Sequence, residues 1–361
     1  MSIDLLATGI ALLTFFGISA LMALSLNLEY GVAGIPNFGK ALFVSIGAYT
    51  AGVTYTRLLP LLAGQEVIDP CGRTLADALQ LRSDIMFTDP TAGWLNFAIT
   101  LLIAGLIGGA VGYGLSYITL RLKEEWFLAL VLLVSGEIIR IVVRGYDPII
   151  CAHNGLSGIA QPFVAVGDTQ TASILFAALT VGFALIAFVY AERLIRSPYG
   201  RLLRAIRENE HVSQSLGKQV ARIRAQVMFI GSFMAAVAGV LFALNIGFVN
   251  TNDYVVTLTL DVWVMVVLGG AGNMRGALLG AAVITILDRV TAIVAIQLNM
   301  AGSQWEFNYF RFILFGLLLL LMLRFRPQGI LPERRDTTSV PLVFAEETAD
   351  RGAGAEQPSG D

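Results

Sequence analysis

This chain reads as an all-α polytopic membrane protein, and three observations carry that reading. Only 14% of its 361 residues are charged and 56% are hydrophobic, with a mean hydropathy of +0.73, whereas a soluble domain carries about a quarter charged residues. Apolar runs of roughly 20 residues recur along the chain, the length a helix needs to cross a hydrocarbon core. Between two such runs lies a polar island, Glu192 to Arg224, with eight basic residues against Glu192, Glu208 and Glu210. The expected architecture is a bundle of about 8–10 transmembrane helices, with a broken or re-entrant segment near residues 28–40.

The elements follow in order. Leu5 to Leu28 is too long for the apolar core of a signal peptide, and no A-x-A pattern follows it, so it is expected to be a retained first span. Further spans are expected at 38–56, 94–120, 126–143, 171–190, 225–248, 255–269, 276–297 and 307–324; the second of the nine is the one in question. Residues 1–332 form the membrane domain, with 191–224 as its main cytoplasmic loop. Residues 333–361 are rich in Glu, Asp, Gly, Pro, Ser and Thr and are expected to be a disordered cytoplasmic tail.

Arginine-rich loops between spans stay in the cytoplasm, which orients the rest. Loops 57–93, 144–170, 249–254 and 298–306 then fall outside, and the C-terminus falls inside, where Arg324, Arg326, Arg334 and Arg335 cluster. Arg140 and Arg144 run against this assignment, since they sit at an end it makes external. Cys71 and Cys151 both fall in external loops. A disulfide and two separate thiols both fit, because sequence does not set their separation.

Small residues recur at helical spacing: Gly105 and Gly109, Gly108 and Gly112, Gly231, Ala235 and Gly239, and Gly272, Gly276 and Gly280. Such faces let helix backbones approach closely in lipid. They predict tight packing and no chemistry. The charges within or beside spans are Glu125, Glu137, Asp261, Asp288 and Arg289, the last two adjacent. Intramembrane ionisable groups are functional candidates, but a transporter driven by an ion gradient is expected to show clearer mid-span acids. No Cys/His spacing suggests a metal, the net charge of −2 gives no reason to expect nucleic acid, and no nucleophile–base pair emerges.

Glu29 to Lys40, EYGVAGIPNFGK, places three glycines and a proline between two apolar runs. Irregular backbone at membrane depth is tolerated where it is buried in protein or lines a cavity. Gly31, Gly34, Asn37, Phe38 and Gly39 are therefore candidates for a translocation path, against the plainer reading of a short loop. The segment matches G-x4-G-K, but Ala41 replaces the Ser/Thr and no α/β domain surrounds it, so nucleotide binding is rejected. HNGLSG, His153 to Gly158, offers Asn154 and Ser157 to an external mouth, or is simply a turn. In the island, Leu202, Leu203, Ile206 and Leu216 can supply an apolar docking face beside Arg201, Arg204 and Arg207, whose forked donors suit a partner's carboxylates. The alternative is that these arginines only hold topology and meet lipid headgroups.

Five stretches resemble one family in order and spacing: SLNLEYGVAGIPNFGKALFVSIGAYTAG, HNGLSG, SPYGRLLRAIRENEHVSQSLG, VLGGAGNMRGALLGAAV and FRPQGILP. Roughly from Leu24 to Pro332, the chain resembles the LivM-type permeases of branched-chain amino-acid ABC importers. That superfamily also handles urea, short-chain amides and ribose. The resemblance implies a second homologous permease, two cytoplasmic ATPase subunits, an external substrate-binding protein and a bacterial- or archaeal-type plasma membrane. It implies no cofactor on this chain, with ATP and Mg used by the partners. It makes Arg201, Leu202, Arg204, Ile206, Arg207, Glu210 and Gly217 candidate ATPase-coupling residues. One departure bears on this: the family's loop reads like E-x-A-A-x-x-x-G, whereas His211, Val212 and Ser213 follow Glu210 here. The external insert Leu58 to Gly93 is also longer than expected.

Overall fold

The computed structural model describes residues 4–119, 125–297 and 307–333; the expected tail beyond 333 and the loop 298–306 lie outside the described residues. The chain forms α1 (Leu5–Leu26), a π turn (Asn27–Val32), α2 (Lys40–Val53), a π turn (Thr54–Leu58), α3 (Leu59–Leu62), α4 (Leu75–Thr88) and α5 (Pro90–Thr119). It continues through α6 (Glu125–Arg144), α7 (Asp147–Ile150), α8 (Thr169–Arg196), α9 (Pro198–Glu208) and α10 (Glu210–Ser215). It ends with α11 (Val220–Ile246), α12 (Val256–Gly269), α13 (Met274–Gln297) and α14 (Phe307–Phe325). Each of the nine expected apolar segments coincides with a helix. Among the described residues, six of them (α1, α5, α8, α11, α12 and α13) are long and apolar enough to cross a membrane.

The segment in question, α2, is real but differs from a lipid-facing span. It has 14 residues, and Lys40 to Tyr49 are all buried, so it sits inside the bundle and meets protein on every side. Its neighbours are α5, α6 and α11. Close approach is what makes room for it. A Cβ on Gly47 would collide with the carbonyl of Ala236, and one on Gly239 with the carbonyl of Val44, so α2 and α11 cross backbone to backbone. The small residues of α5 act likewise: Gly108 and Gly112 rest on Ala236 and Ser232, while Gly105 and Gly109 receive the rings of Phe233 and Phe229. The second hub is α1, which packs on α8, α11, α12 and α13.

A cap closes the end of the bundle remote from the basic island. Cys71 and Cys151 form a disulfide with Cα atoms 5.4 Å apart, which resolves the pairing that sequence leaves open. Beneath it, β1 (Leu156–Ser157) pairs antiparallel with β2 (Phe248–Val249), Leu156 opposite Val249. At the other end, Ser197 caps α9, its hydroxyl accepting from the Gly200 amide at 3.4 Å, with Pro198 at the first helical position.

Candidate functional site: the broken helix and the coupling face

After Leu26 the first helix widens into its π turn and reverses at Gly34, whose φ is 72°. The chain then runs without regular structure to Gly39, where α2 begins. A buried polar knot holds this break. Glu29 and Lys40, both with fully buried side chains, form an ion pair at 2.5 Å. Lys40 Nζ also donates to Ser25 Oγ at 2.6 Å, and that hydroxyl donates to the Gly231 carbonyl at 2.7 Å. The Asn37 amide donates to Glu29 Oε2 at 2.8 Å, while its oxygen accepts from the Gly39 amide at 2.8 Å. Removing two charges from water is expensive unless they are paired and hydrogen-bonded together, and here the ammonium group meets two acceptors, Glu29 Oε2 and Ser25 Oγ. Gly231 has to be glycine, since a Cβ there would strike the Glu29 carboxylate.

Aromatic side chains line the outer side of the break. Phe38 stacks on Trp263 of α12 with centroids 4.5 Å apart, Tyr30 tilts against the same indole, and Trp263 Nε1 donates to the Asn37 carbonyl at 3.1 Å. Of the candidates for the path, Gly31, Asn37 and Gly39 are buried, whereas Gly34 and Phe38 are partly exposed. Asn154 and Ser157 are not part of this cluster. The HNGLSG turn packs by Leu156 against Gly52, at the far end of α2, about 20 Å from Gly39 at 1.5 Å per residue. The two groups of candidates thus lie at opposite ends of α2.

Sequence reasoning missed Glu29 and Lys40, which it takes for the ends of a loop. The available signal was two opposite charges flanking a glycine- and proline-rich break within an apolar stretch. The intramembrane charges it does single out lie elsewhere. Asp261 and Asp288 line a cavity of about 380 Å³ with Asp253, Thr285 and Phe315. The Arg289 guanidinium lies 3.5 Å from the centroid of the Phe15 ring, and Glu137 pairs with Arg140 at 2.8 Å. The Glu125 side chain lies outside the described residues.

The basic island folds as α9 and α10, the second capped by Asn209, whose oxygen accepts from the Val212 amide at 3.1 Å. Their side chains divide between two directions. Leu203 and Ile206 are buried in the bundle, and Arg207 turns inward to the break. Leu202, Arg204 and Glu210 are half-buried, with Glu210 paired to Arg224 at 2.9 Å. Arg201, Val212 and Leu216 face outward, and Gly217, with φ 75°, closes α10. Ile206 therefore anchors α9 to its own chain. Beside α9 opens a polar cavity of about 580 Å³, lined by Glu192, Arg196, Arg204, Asn273, Arg275 and Glu333 among others. Burial and the neighbouring Tyr190 push the Tyr199 phenol up to about 12, so it stays protonated and donates to Gln226 Oε1 at 3.2 Å.

Among known proteins, residues 9–323 match the model of a family described as the permease component of the branched-chain amino acid transport system. A probable branched-chain amino acid transport permease protein LivM of Methanocaldococcus jannaschii is 33% identical over 342 residues, covering 92% of this chain and 95% of that protein. The high-affinity branched-chain amino acid transport system permease protein LivM of Salmonella typhimurium is 28% identical, over 87% of this chain and 68% of that protein. The corresponding permease protein LivH of Escherichia coli is 24% identical, over 86% of this chain and 90% of that protein. No solved structure matches. With six membrane-length helices and a family match across nearly its whole bundle, the chain belongs to the family of branched-chain amino acid transport permeases.

Proposed function

We propose that the chain is one permease subunit of an ABC importer, and that its cargo is a branched-chain or related hydrophobic amino acid. The observation that carries this reading is the family match over residues 9–323, which takes in both the broken segment and the coupling face. A second homologous permease completes the translocation path. Two cytoplasmic subunits hydrolyse Mg-ATP, and an external binding protein delivers the substrate. This chain contributes no catalytic group and binds no cofactor; its role is to bind, enclose and release cargo as the spans reorient by rigid-body motion.

Charge placement supports a cytoplasmic coupling loop and C-terminus. Arg201, Val212 and Leu216 are the side chains of α9 and α10 best placed to meet an ATPase subunit, because they face away from the bundle. Phe38, partly exposed beside Trp263, is the part of the break best placed to meet cargo. A zwitterion would be held there by backbone amides and carbonyls, which an interrupted helix leaves free to bond.

The test is uptake of labelled leucine into proteoliposomes holding this chain with its second permease, both ATPases and the binding protein. Uptake that vanishes without ATP is the expected result. A complex whose ATP hydrolysis responds to loaded binding protein, but which imports urea or an amide in place of leucine, would keep the machine and overturn the cargo.

A further inference from the structure

Two of the motifs, the glycine turn after α12 and the stretch FRPQGILP, have no part in the function so far. The structure brings them to one place. The last described residues run back along the turn between α12 and α13: the Ile330 amide donates to the Leu268 carbonyl at 2.9 Å and the Leu331 amide to the Gly269 carbonyl at 3.0 Å. Asn273 Nδ2 donates to the Pro332 carbonyl at 3.1 Å. The same turn is tied to the broken segment, since the Gly272 amide donates to Asn27 Oδ1 at 2.8 Å where the π turn begins. A Cβ on Gly272 would stand 2.8 Å from the Glu333 carboxyl carbon, so this glycine, with φ 85°, is the floor on which Glu333 rests.

From that floor Glu333 reaches the coupling helix. Arg207 Nη2 donates to Glu333 Oε2 at 2.8 Å, and Arg204 Nε lies 3.7 Å from Oε1. The other terminal nitrogen of Arg207 donates to the Gly31 carbonyl, and its side-chain stem lies over Gly34. One guanidinium thus bridges the C-terminal strap and the broken segment, a geometry that its planar fork permits and a lysine's does not.

We propose that Glu333 is a positioning residue that holds Arg207 against the Gly31 carbonyl, so that the stretch following α14 clamps the coupling helix to the broken helix. Without the clamp, α9 keeps the Tyr199 hydrogen bond to Gln226 of α11 and the buried apolar side chains Leu203 and Ile206, but loses its charge-assisted bonds to the broken segment and the C-terminal strap. Charge-assisted hydrogen bonds are shorter and directional, and these side chains are only about a quarter exposed. Displacement of α9 is then displacement of Gly31 to Gly34, which lie between the ion-paired Glu29 and Lys40. The inference rests on the reading that ATPase subunits move α9.

The experiment compares wild type with Glu333→Gln and Arg207→Lys in the complete reconstituted complex, measuring ATP hydrolysis and leucine uptake on the same vesicles. Glu333→Gln keeps shape and loses charge; Arg207→Lys keeps charge and loses the fork. Both are expected to assemble, Glu333→Gln with ATP hydrolysis within about twofold of wild type, and both to transport about tenfold less leucine per ATP. Amide hydrogen exchange on the same complexes is expected to rise in two separate stretches, 27–34 and 201–208. A wild-type ratio of uptake to hydrolysis would overturn the clamp, as would hydrolysis and uptake falling together through loss of the ATPases. Exchange that rises only in 328–333 would also overturn it. If the wild-type complex hydrolyses ATP without ATP-dependent import of leucine, the cargo reading fails, and the exchange pattern still decides the clamp.

Discussion

Glu29 and Lys40 are eleven positions apart in sequence and 2.5 Å apart in space. Breaking a buried pair by removing one partner costs about 3–5 kcal/mol, because the survivor is left charged without water. Lys40→Met is therefore expected to lower the thermal stability of the detergent-solubilised protein sharply, and Glu29→Gln to do likewise. The double substitution is expected to recover more than half of the combined loss, since neither charge then remains uncompensated. A double variant whose loss equals the sum of the singles would show that the pair does not hold the break. Neither residue is legible as a pair in the sequence. Helical spacing brings together positions three or four apart, whereas this contact needs the chain to reverse at Gly34. Gly34 itself is legible, because glycine is the residue that takes a positive φ without strain.

At the scale of elements, hydropathy placed each of its nine segments on a helix of the described residues, because each buries or offers to lipid a continuous apolar length. It could not say which of them is enclosed by the others, as α2 is from Lys40 to Tyr49. Nor could it say which way α9 turns its apolar face. Leu203 and Ile206 look the same in sequence whether they are kept for the chain's own bundle or offered to a partner. The glycine faces were legible as packing surfaces, but their partners were not. That pairing makes a contrast measurable with two glycine-to-alanine substitutions. Gly239→Ala drives a methyl into the Val44 backbone, which cannot rotate away, and is expected to destabilise by about 1–3 kcal/mol. Gly182→Ala in α8 meets nothing within 4 Å and is expected to be neutral or to stabilise by up to about 1 kcal/mol, the helix-propensity gain. Thermal unfolding of the two variants side by side checks this, and equal losses would refute the α2–α11 crossing.

Taken whole, the molecule has a bundle and a separately stapled cap. The disulfide spans 80 residues of sequence, but much of that length belongs to helices held by the bundle, so its constraint is local. Reduction, or Cys71→Ser with Cys151→Ser, is expected to open residues 64–74 to protease while leaving the helix content by circular dichroism unchanged. Loss of helix on reduction would mean that the cap and bundle fold as one unit. Sequence left this bond open because it shows two cysteines on one face and not the distance between them.

The enclosure of α2 has a bearing on how the chain is made. The helix continues without a break through the π turn to Leu62, but with Lys40 at its start and Arg57 near its end it is not among the helices long and apolar enough to cross a membrane, so it partitions into lipid poorly on its own. Its close neighbour α11 begins at Val220, long after α2 has left the ribosome. Until then nothing is in place to receive Gly47 or cover that face of α2. That face of the helix is covered only once α11 has been made. The element at the centre of the bundle is thus translated early, while the helix that packs backbone to backbone against it is made much later.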